Sequence, residues 1–376
     1  MARLGDVCTI VSGTTPKSSC PEYWDGNINW VTPAELNDES DVIYESQRKI
    51  TKQAVINSSL KPFPAGTVLL SSRAPIGKVA IAGTEMYCNQ GFKNLICSDA
   101  IYNRYLYHFL KGKTEYLNSL GRGATFKEIS KSIVEEIEIP LPPLEEQRRI
   151  AALLDKVSDL IAKRRAQLYK LDLLVKARFV EMFGQYIGEN EQALNAICNF
   201  IDYRGKTPEK SESGIPLITA KNVKQNLFCV DPQEFIPIEN YNAVMTRGIP
   251  QVNDVLFTTE APLGNVCRIP DIYDKFCVGQ RIITMQPHKN AITSEYLEYA
   301  LLSKEFQDKM WQKSSGSTVK GIRSKLLEQL TIPVPPINQQ QQFSKIVFNV
   351  ERSKFIIKRS LDKLETLKKA LMQQYF

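Results

Sequence analysis

From Ile150 onward, apolar residues recur every three or four positions, at Leu154, Val157, Ile161, Leu168, Leu171, Val175 and Met182. No glycine or proline interrupts this run before Gly184. The same pattern returns near the C-terminus, where Phe343, Val350, Ile357, Leu364 and Leu371 fall at intervals of seven, with Val347 and Leu361 between them. Such spacing predicts two long amphipathic helices with a coiled-coil seam. At about 38 residues each, they would span roughly 55–60 Å. Polar residues at seam positions (Arg164, Lys354, Lys368) would cost stability and help fix register. Neither stripe can be buried alone. The other copy is the expected partner, and a partner protein could share the surface.

Each helix follows a proline-rich connector. Ile139-Pro140-Leu141-Pro142-Pro143-Leu144-Glu145-Glu146-Gln147 precedes the first and Ile332-Pro333-Val334-Pro335-Pro336-Ile337-Asn338-Gln339-Gln340 the second. Proline fits neither a helix interior nor a central strand, so both connectors are expected to be extended. Corresponding residues (140 and 333, 147 and 340) lie 193 positions apart, the mark of a tandem duplication. The remaining segments repeat too. Val68-Leu69-Leu70-Ser71-Ser72-Arg73-Ala74-Pro75-Ile76-Gly77-Lys78-Val79 is echoed by Val255-Leu256-Phe257-Thr258-Thr259-Glu260-Ala261-Pro262-Leu263-Gly264-Asn265-Val266. Strand-like runs at 29–32, 67–71, 78–82 and 94–97 alternate with Gly and Pro signals, a helix is expected over 101–120, and a last amphipathic stretch covers 127–136. The expected organisation is mixed α/β: one domain over 1–138, connector and helix over 139–184, a homologous domain over 185–332, and connector and helix over 333–376.

Composition narrows the class. The 376 residues are 43% hydrophobic and 24% charged, ordinary for a globular protein. No apolar run reaches membrane-spanning length and the N-terminus carries no secretory pattern, so a cytoplasmic protein is expected. Its eight cysteines form no C-x-x-C pair and are expected to be reduced thiols. The net charge of +7 permits a polyanionic partner without demanding one.

Catalytic and metal signatures are missing. The two histidines, His108 and His288, fit no metal-ligand spacing and are expected to pack or cap. Gly205-Lys206-Thr207 imitates the end of a phosphate-binding loop, but Phe200 occupies the required glycine position and Pro208 would break the following helix. No catalytic residue and no metal site are assigned. What remains are polar and basic loops on two similar scaffolds: Thr15, Lys17, Ser72, Arg73, Lys78, Asn89, Gln90, Lys93, Arg122 and Thr125 in the first domain. Their counterparts are Arg204, Lys206, Thr207, Glu260, Asn265, Gln280, Arg281, Ser315, Thr318 and Lys320 in the second. Gln, Asn and Arg can read base edges, while Lys, Ser and Thr hold phosphate. Any one such loop is ordinarily a solvated turn. Recurrence in both halves favours a shared binding face.

The succession of domain, Pro-x-Pro-Pro-hydrophobic-x-x-Gln connector and long helix, given twice, resembles the specificity (S) subunit of type I restriction–modification enzymes. Ser72-Arg73-Ala74-Pro75-Ile76-Gly77 and Asn89-Gln90-Gly91 add to the resemblance, which spans essentially the whole chain. There are departures: Glu260 stands at the Arg73 position, Val278-Gly279-Gln280 replaces Asn89-Gln90-Gly91, and Asn338-Gln339 replaces Glu145-Glu146. The resemblance implies a non-catalytic subunit whose two domains read different halves of a bipartite, asymmetric double-stranded DNA site. Glu260 could accept from a cytosine amino group. The resemblance also implies antiparallel spacer helices that dock two methyltransferase subunits, with restriction subunits added. The chain itself would bind no cofactor; S-adenosylmethionine, ATP and magnesium would belong to the partners. Two rival classes remain: a coiled-coil scaffold that never touches DNA, and an enzyme with an unrecognised active site, for example a nuclease, to whose carboxylate–lysine set Asp271, Asp274 and Lys275 are a poor fit.

Overall fold

The computed structural model describes residues 1–37, 41–73, 75–123, 127–203, 205 and 208–376. It contains the two long helices, Leu144–Phe183 and Ile337–Tyr375, of 40 and 39 residues. The chain divides into two compact units. One comprises Met1–Gln167 with Ile357–Phe376, the other Leu168–Ile356. Each unit therefore holds one α/β domain, the start of the helix that follows it in sequence, and the end of the other long helix.

In the first unit a five-stranded sheet runs in the order Cys8–Ser12, Lys93–Cys97, Val68–Leu70, Val79–Ala82, Val42–Ile43. Its pairs are antiparallel except the last, which is parallel. A smaller sheet joins Lys49–Ile50, Trp24–Val31 and Tyr87–Cys88. The second unit repeats this plan with a four-stranded sheet in the order Cys198–Asp202, Ile282–Pro287, Val255–Thr258, Val266–Arg268. A three-stranded sheet of Phe235–Ile236, Ile215–Ile218 and Cys277–Val278 accompanies it. The four strands expected in the first domain all form, within a few residues of their expected limits.

One sequence expectation is corrected, and one stretch is resolved into its parts. The single helix over 101–120 is broken at Lys113 into Asn103–Gly112 and Thr114–Leu120. Of the stretch 127–136, only Lys131–Glu135 is helical. Glu128 and Ile129 instead join the backbone ladder of neighbouring loops, through bonds from Glu128 N to the Arg122 carbonyl and from Ile129 N to the Ser72 carbonyl.

The apolar stripes do more than form a helix-to-helix seam. Ile150 and Leu154 are buried in the same core as Val68, Leu70, Tyr105 and Leu106. Leu371, Met372, Tyr375 and Phe376, at the end of the other helix, pack against that core. In the second unit Val175, Phe183, Phe343, Val347 and Val350 share a core with Val255, Phe257 and Tyr296, with Leu171 packed against it. The plugs are equivalent: the Phe376 ring lies 5.0 Å from Tyr105 and the Phe183 ring 4.8 Å from Tyr296. Val157 and Ile161 are buried, while Leu168, Ile357, Leu361 and Leu364 are half-buried. Within each unit the two helical segments run antiparallel, as the ion pairs Arg165–Glu365 and Lys354–Asp172 and the Phe376 and Phe183 plugs require. The helices thus face each other across ion pairs, and their ends are in addition absorbed into the domain cores.

The proline connectors are anchored by a buried glutamine. Gln147 is fully buried; its Oε1 accepts from Tyr102 N at 2.8 Å, and its Nε2 donates to the carbonyls of Ala100 and Pro142 at 3.0 and 2.8 Å. Gln340 does the same, accepting from Thr293 N at 3.0 Å and donating to Ala291 and Pro335 at 3.1 and 2.8 Å. Tyr105 and Tyr296 add hydroxyl bonds to the carbonyls of Pro140 and Pro333. A leucine in place of either glutamine orphans one buried donor and two acceptors, costing about 3–5 kcal/mol. Gln147→Leu is expected to raise hydrogen exchange in the strands of residues 68–70 and 93–97 and to spare 255–258. Gln340→Leu should do the reverse.

Buried charge ties each domain to a long helix. In the first unit Arg104 forms a fork with Asp155, at 2.6 and 3.0 Å, and reaches Asp41 at 3.1 Å. His108, 2% exposed, lies 2.7 Å from Asp155. Burial lowers the His108 pKa below its ordinary 6.5, against the opposing pull of Asp155 and in concert with Arg104 and Lys368. The unfolded chain therefore takes up this proton at a higher pH than the folded one. Stability is full above about pH 6.5 and falls as pH drops toward the folded value. The melting temperature should decline between pH 7 and 5.5, and His108→Gln should flatten that part of the profile. In the second unit Arg268 plays the tying role, bonded to Glu298 at 2.7 Å, to Glu295 at 3.0 Å and to Glu351 of the long helix.

Candidate nucleic-acid interface

Three loops of the first unit converge at one end of the large sheet. After the strand Val68–Leu70, Ser71 N donates to the Lys78 carbonyl at 2.9 Å and Gly77 N to the Ser71 carbonyl at 3.1 Å. Gly77 has φ +90°, a conformation that favours glycine. In the second loop Gly91 N donates to Asn89 Oδ1 at 2.9 Å, and the Gly91 carbonyl accepts from Ser72 N at 2.8 Å. The third is closed by paired backbone bonds between Arg122 and Glu128 at 3.0 and 2.9 Å. The N-terminal segment joins them where Thr14 N meets the Cys88 carbonyl and the Thr15 hydroxyl donates to Gln90 Oε1.

This arrangement gathers Thr15, Arg73, Asn89, Gln90 and Arg122 with exposed or half-buried side chains. Lys17 is exposed on the adjoining segment. Ser72 and Lys93, expected at the surface, are corrected: they are 0% and 6% exposed. The Lys93 ammonium lies 3.2 Å from Glu128 Oε1 and 3.5 Å from Ser72 Oγ, so it supports its neighbours from below. Glu128 also meets Arg73 Nε at 2.9 Å. Burial alone would raise the Glu128 carboxyl, but Arg73 and Lys93 outweigh it and hold it below the usual carboxylate range. Glu128 was not among the expected site residues, since it lay in a stretch read only as amphipathic. Its one signal was the need for an anion among so many cations.

The second unit builds the matching site. Thr259, Glu260, Gln280, Arg281, Ser315 and Arg323 line a cleft of about 410 Å³ together with Gly205, Val319, Gly321 and Ile322. Glu260 and Arg281 pair at 3.0 Å with both side chains about half exposed. Ser315 and Gly321 exchange two backbone bonds of 2.9 Å, and the turn between them carries the exposed Thr318 and Lys320. Gly316, at φ +113°, has no room for a side chain, because a Cβ there would lie 2.1 Å from the Val319 carbonyl.

Lys78 and Asn265 occupy equivalent half-buried positions and reach backbone carbonyls, Pro33 at 3.4 Å and Val223 at 2.9 Å. Both thereby help to hold their loops in place. The loop alignment is corrected as well. Asn89 N bonds the Val31 carbonyl as Gly279 N bonds that of Ile218, and Ser72 N bonds Gly91 as Thr259 N bonds Arg281. Gln90 and Gln280 are therefore equivalent, one position away from the pairing suggested by the sequence. Thr125, Arg204, Lys206 and Thr207 lie outside the described residues.

Among the described residues no three His, Cys, Asp or Glu side chains gather as a metal site requires. His288 Nε2 meets Asn199 Oδ1 at 3.0 Å, and all eight cysteines are free thiols. No helix among the described residues is long and apolar enough to cross a membrane.

The chain is similar to the specificity subunit of type I restriction enzyme MjaIX of Methanocaldococcus jannaschii, 42% identical over 184 residues. That match spans 48% of this chain and 43% of the relative, less than half its length. The MjaVIII specificity subunit of the same organism is 24% identical over 99% of this chain and 90% of its own. The fold matches the crystal structure of a type I restriction–modification S subunit from M. genitalium with TM-score 0.60, at 18% identity over 100% of this chain and 95% of that one. The family model described as the type I restriction modification DNA specificity domain matches twice, over residues 1–170 and 191–366. Two copies of that domain account for nearly the whole sequence, and the chain belongs to the type I restriction–modification specificity family.

Proposed function

We propose that this chain reads a bipartite, asymmetric DNA site for a type I restriction–modification complex, one half-site per unit. The observation that carries this reading is the repetition of one loop frame with different side chains. Gln90 and Gln280 share a position, whereas Arg73 is replaced by Glu260 and Arg122 by Ser315. A frame kept while its polar tips change is what reading two different sequences requires, since base edges are distinguished by the placement of donors and acceptors. Exposed Lys17 and Lys320 suit the phosphate backbone, whose contacts position the protein without specifying sequence.

The long helices are the proposed docking surface for two methyltransferase subunits, with restriction subunits joining them. Phe348, Phe355 and Ile356, 61–64% exposed on the second helix, provide apolar side chains for such contacts. S-adenosylmethionine, ATP and magnesium are assigned to those partners, the complex to the cytoplasm, and this chain carries no catalytic step.

Co-expression with the methyltransferase gene from the same locus, followed by genome-wide mapping of methyladenine, tests this reading. A split motif, two short specified halves around an unspecified spacer, is the expected result. Methylation without sequence requirement would overturn it, and failure to form a complex would favour a scaffold. Gln90→Ala should relax the base requirement in one half only, by about 1–3 kcal/mol per lost contact. Lys17→Ala should weaken binding to all sequences and lower the salt slope by about 1.

A further inference from the structure

The duplicated frame lets each unit serve as the other's control. Arg73 and Arg122 both bridge Glu128, as Glu260 and Ser315 both bridge Gly321. Arg73 therefore corresponds to Glu260 and Glu128 to Gly321, and the equivalent backbone bonds place Gly91 opposite Arg281. Val68 pairs with Leu95 as Val255 pairs with Met285, so Lys93 corresponds to Ile283. At this position each unit carries one member of an ion pair, of opposite sign, with its partner drawn from a different loop: Glu128 in the first unit and Arg281 in the second. In the first unit the cation projects from the loop after the central strand; in the second the anion does.

Resting on the recognition reading above, we infer that this reversal sets one base of each half-site: Arg73 reads a guanine and Glu260 a cytosine. A guanidinium only donates and a carboxylate only accepts. Guanine offers the O6 and N7 acceptors in the major groove, and cytosine offers its N4 amino donor. The Arg73 pair uses Nε, which leaves the Nη end of the fork outside it. The Glu260 pair uses Oε1, which leaves Oε2 outside it. All four side chains of the two pairs are 34–53% exposed, so they are accessible, and exposed pairs of this kind add little to stability.

Lys93 and Glu128 are positioning residues for Arg73. The buried ammonium holds Glu128 from one side, and Glu128 holds the guanidinium from the other. In the second unit both supports are replaced together: Gly321 brings no carboxylate and the buried Ile283 no charge. Arg281, from the neighbouring loop, takes over the task of orienting the reader. The four differences form one coupled exchange, since a buried lysine without its carboxylate would be strongly destabilising.

The test uses the co-expressed complex with its methyltransferase subunits and maps methyladenine for the wild type, Arg73→Gln, Lys93→Met and Glu260→Gln. The wild-type motif should carry a G·C pair in each half at the positions these variants alter. Arg73→Gln should relax that guanine alone, with discrimination falling about 5- to 150-fold. Lys93→Met should relax the same letter and no other, a change that general loosening of the domain would not produce. Glu260→Gln should alter only the cytosine and move preference toward adenine, whose N6 and N7 a glutamine can bond together. A split wild-type motif whose letters stay unchanged in the variants, with methylation lowered evenly, would overturn this inference alone. Wild-type methylation with no sequence requirement would overturn the recognition reading with it.

Discussion

Two buried glutamine side chains hold the architecture together. Gln147 and Gln340 each sit just inside the start of a long helix and use both ends of the amide. The oxygen end caps the backbone just before the helices Asn103–Gly112 and Ser294–Leu302, and the amino end ties the residue pair Ala100 and Pro142, or Ala291 and Pro335, together. A side chain with both an acceptor and two donors, rigid enough to serve three backbone groups at once, has no apolar substitute in a dry interior. The glutamine thus pins the start of each helix to its domain. The tyrosine hydroxyls on the Pro140 and Pro333 carbonyls, and the Phe376 and Phe183 plugs beside those tyrosines, then have fixed targets.

That anchoring allows the loops to diverge. Each unit supports its polar tips with backbone bonds and with half-buried side chains such as Lys78 and Asn265, which differ in charge yet both end on a main-chain carbonyl. Exposed tips such as Arg122 and Ser315 can differ without touching the core beneath them. A buried group cannot change so freely: Lys93 requires Glu128, and where the carboxylate is absent the strand carries Ile283. Divergence between the halves is therefore free at the surface and coupled one layer down.

Much of this was legible along the chain, but unevenly. The 193-residue repeat, the proline connectors and both long helices could be read directly, because helical periodicity and proline chemistry are local. The register of Gln90 and Gln280 could not, since one residue of drift between loops is invisible until strand pairing counts it. Lys93 looked like any basic loop residue, and only the third loop closing over it shows that it is buried. Glu128 was lost in a segment whose amphipathic pattern gave way to tertiary backbone bonding.

By itself, the sequence determined the duplicated mixed α/β plan, the two helices and the loops that differ between the halves, because these follow from periodicity, breakers and internal comparison. Only the tertiary structure decided which loops share a face, which cations are exposed and which are buried supports, and that the equivalent Arg73 and Glu260 each enter an ion pair with a partner from a different loop. Those facts depend on contacts between residues far apart in the chain. Arg73 and Glu128, 55 positions apart, become partners only once the sheet and the anchored helices bring their loops together.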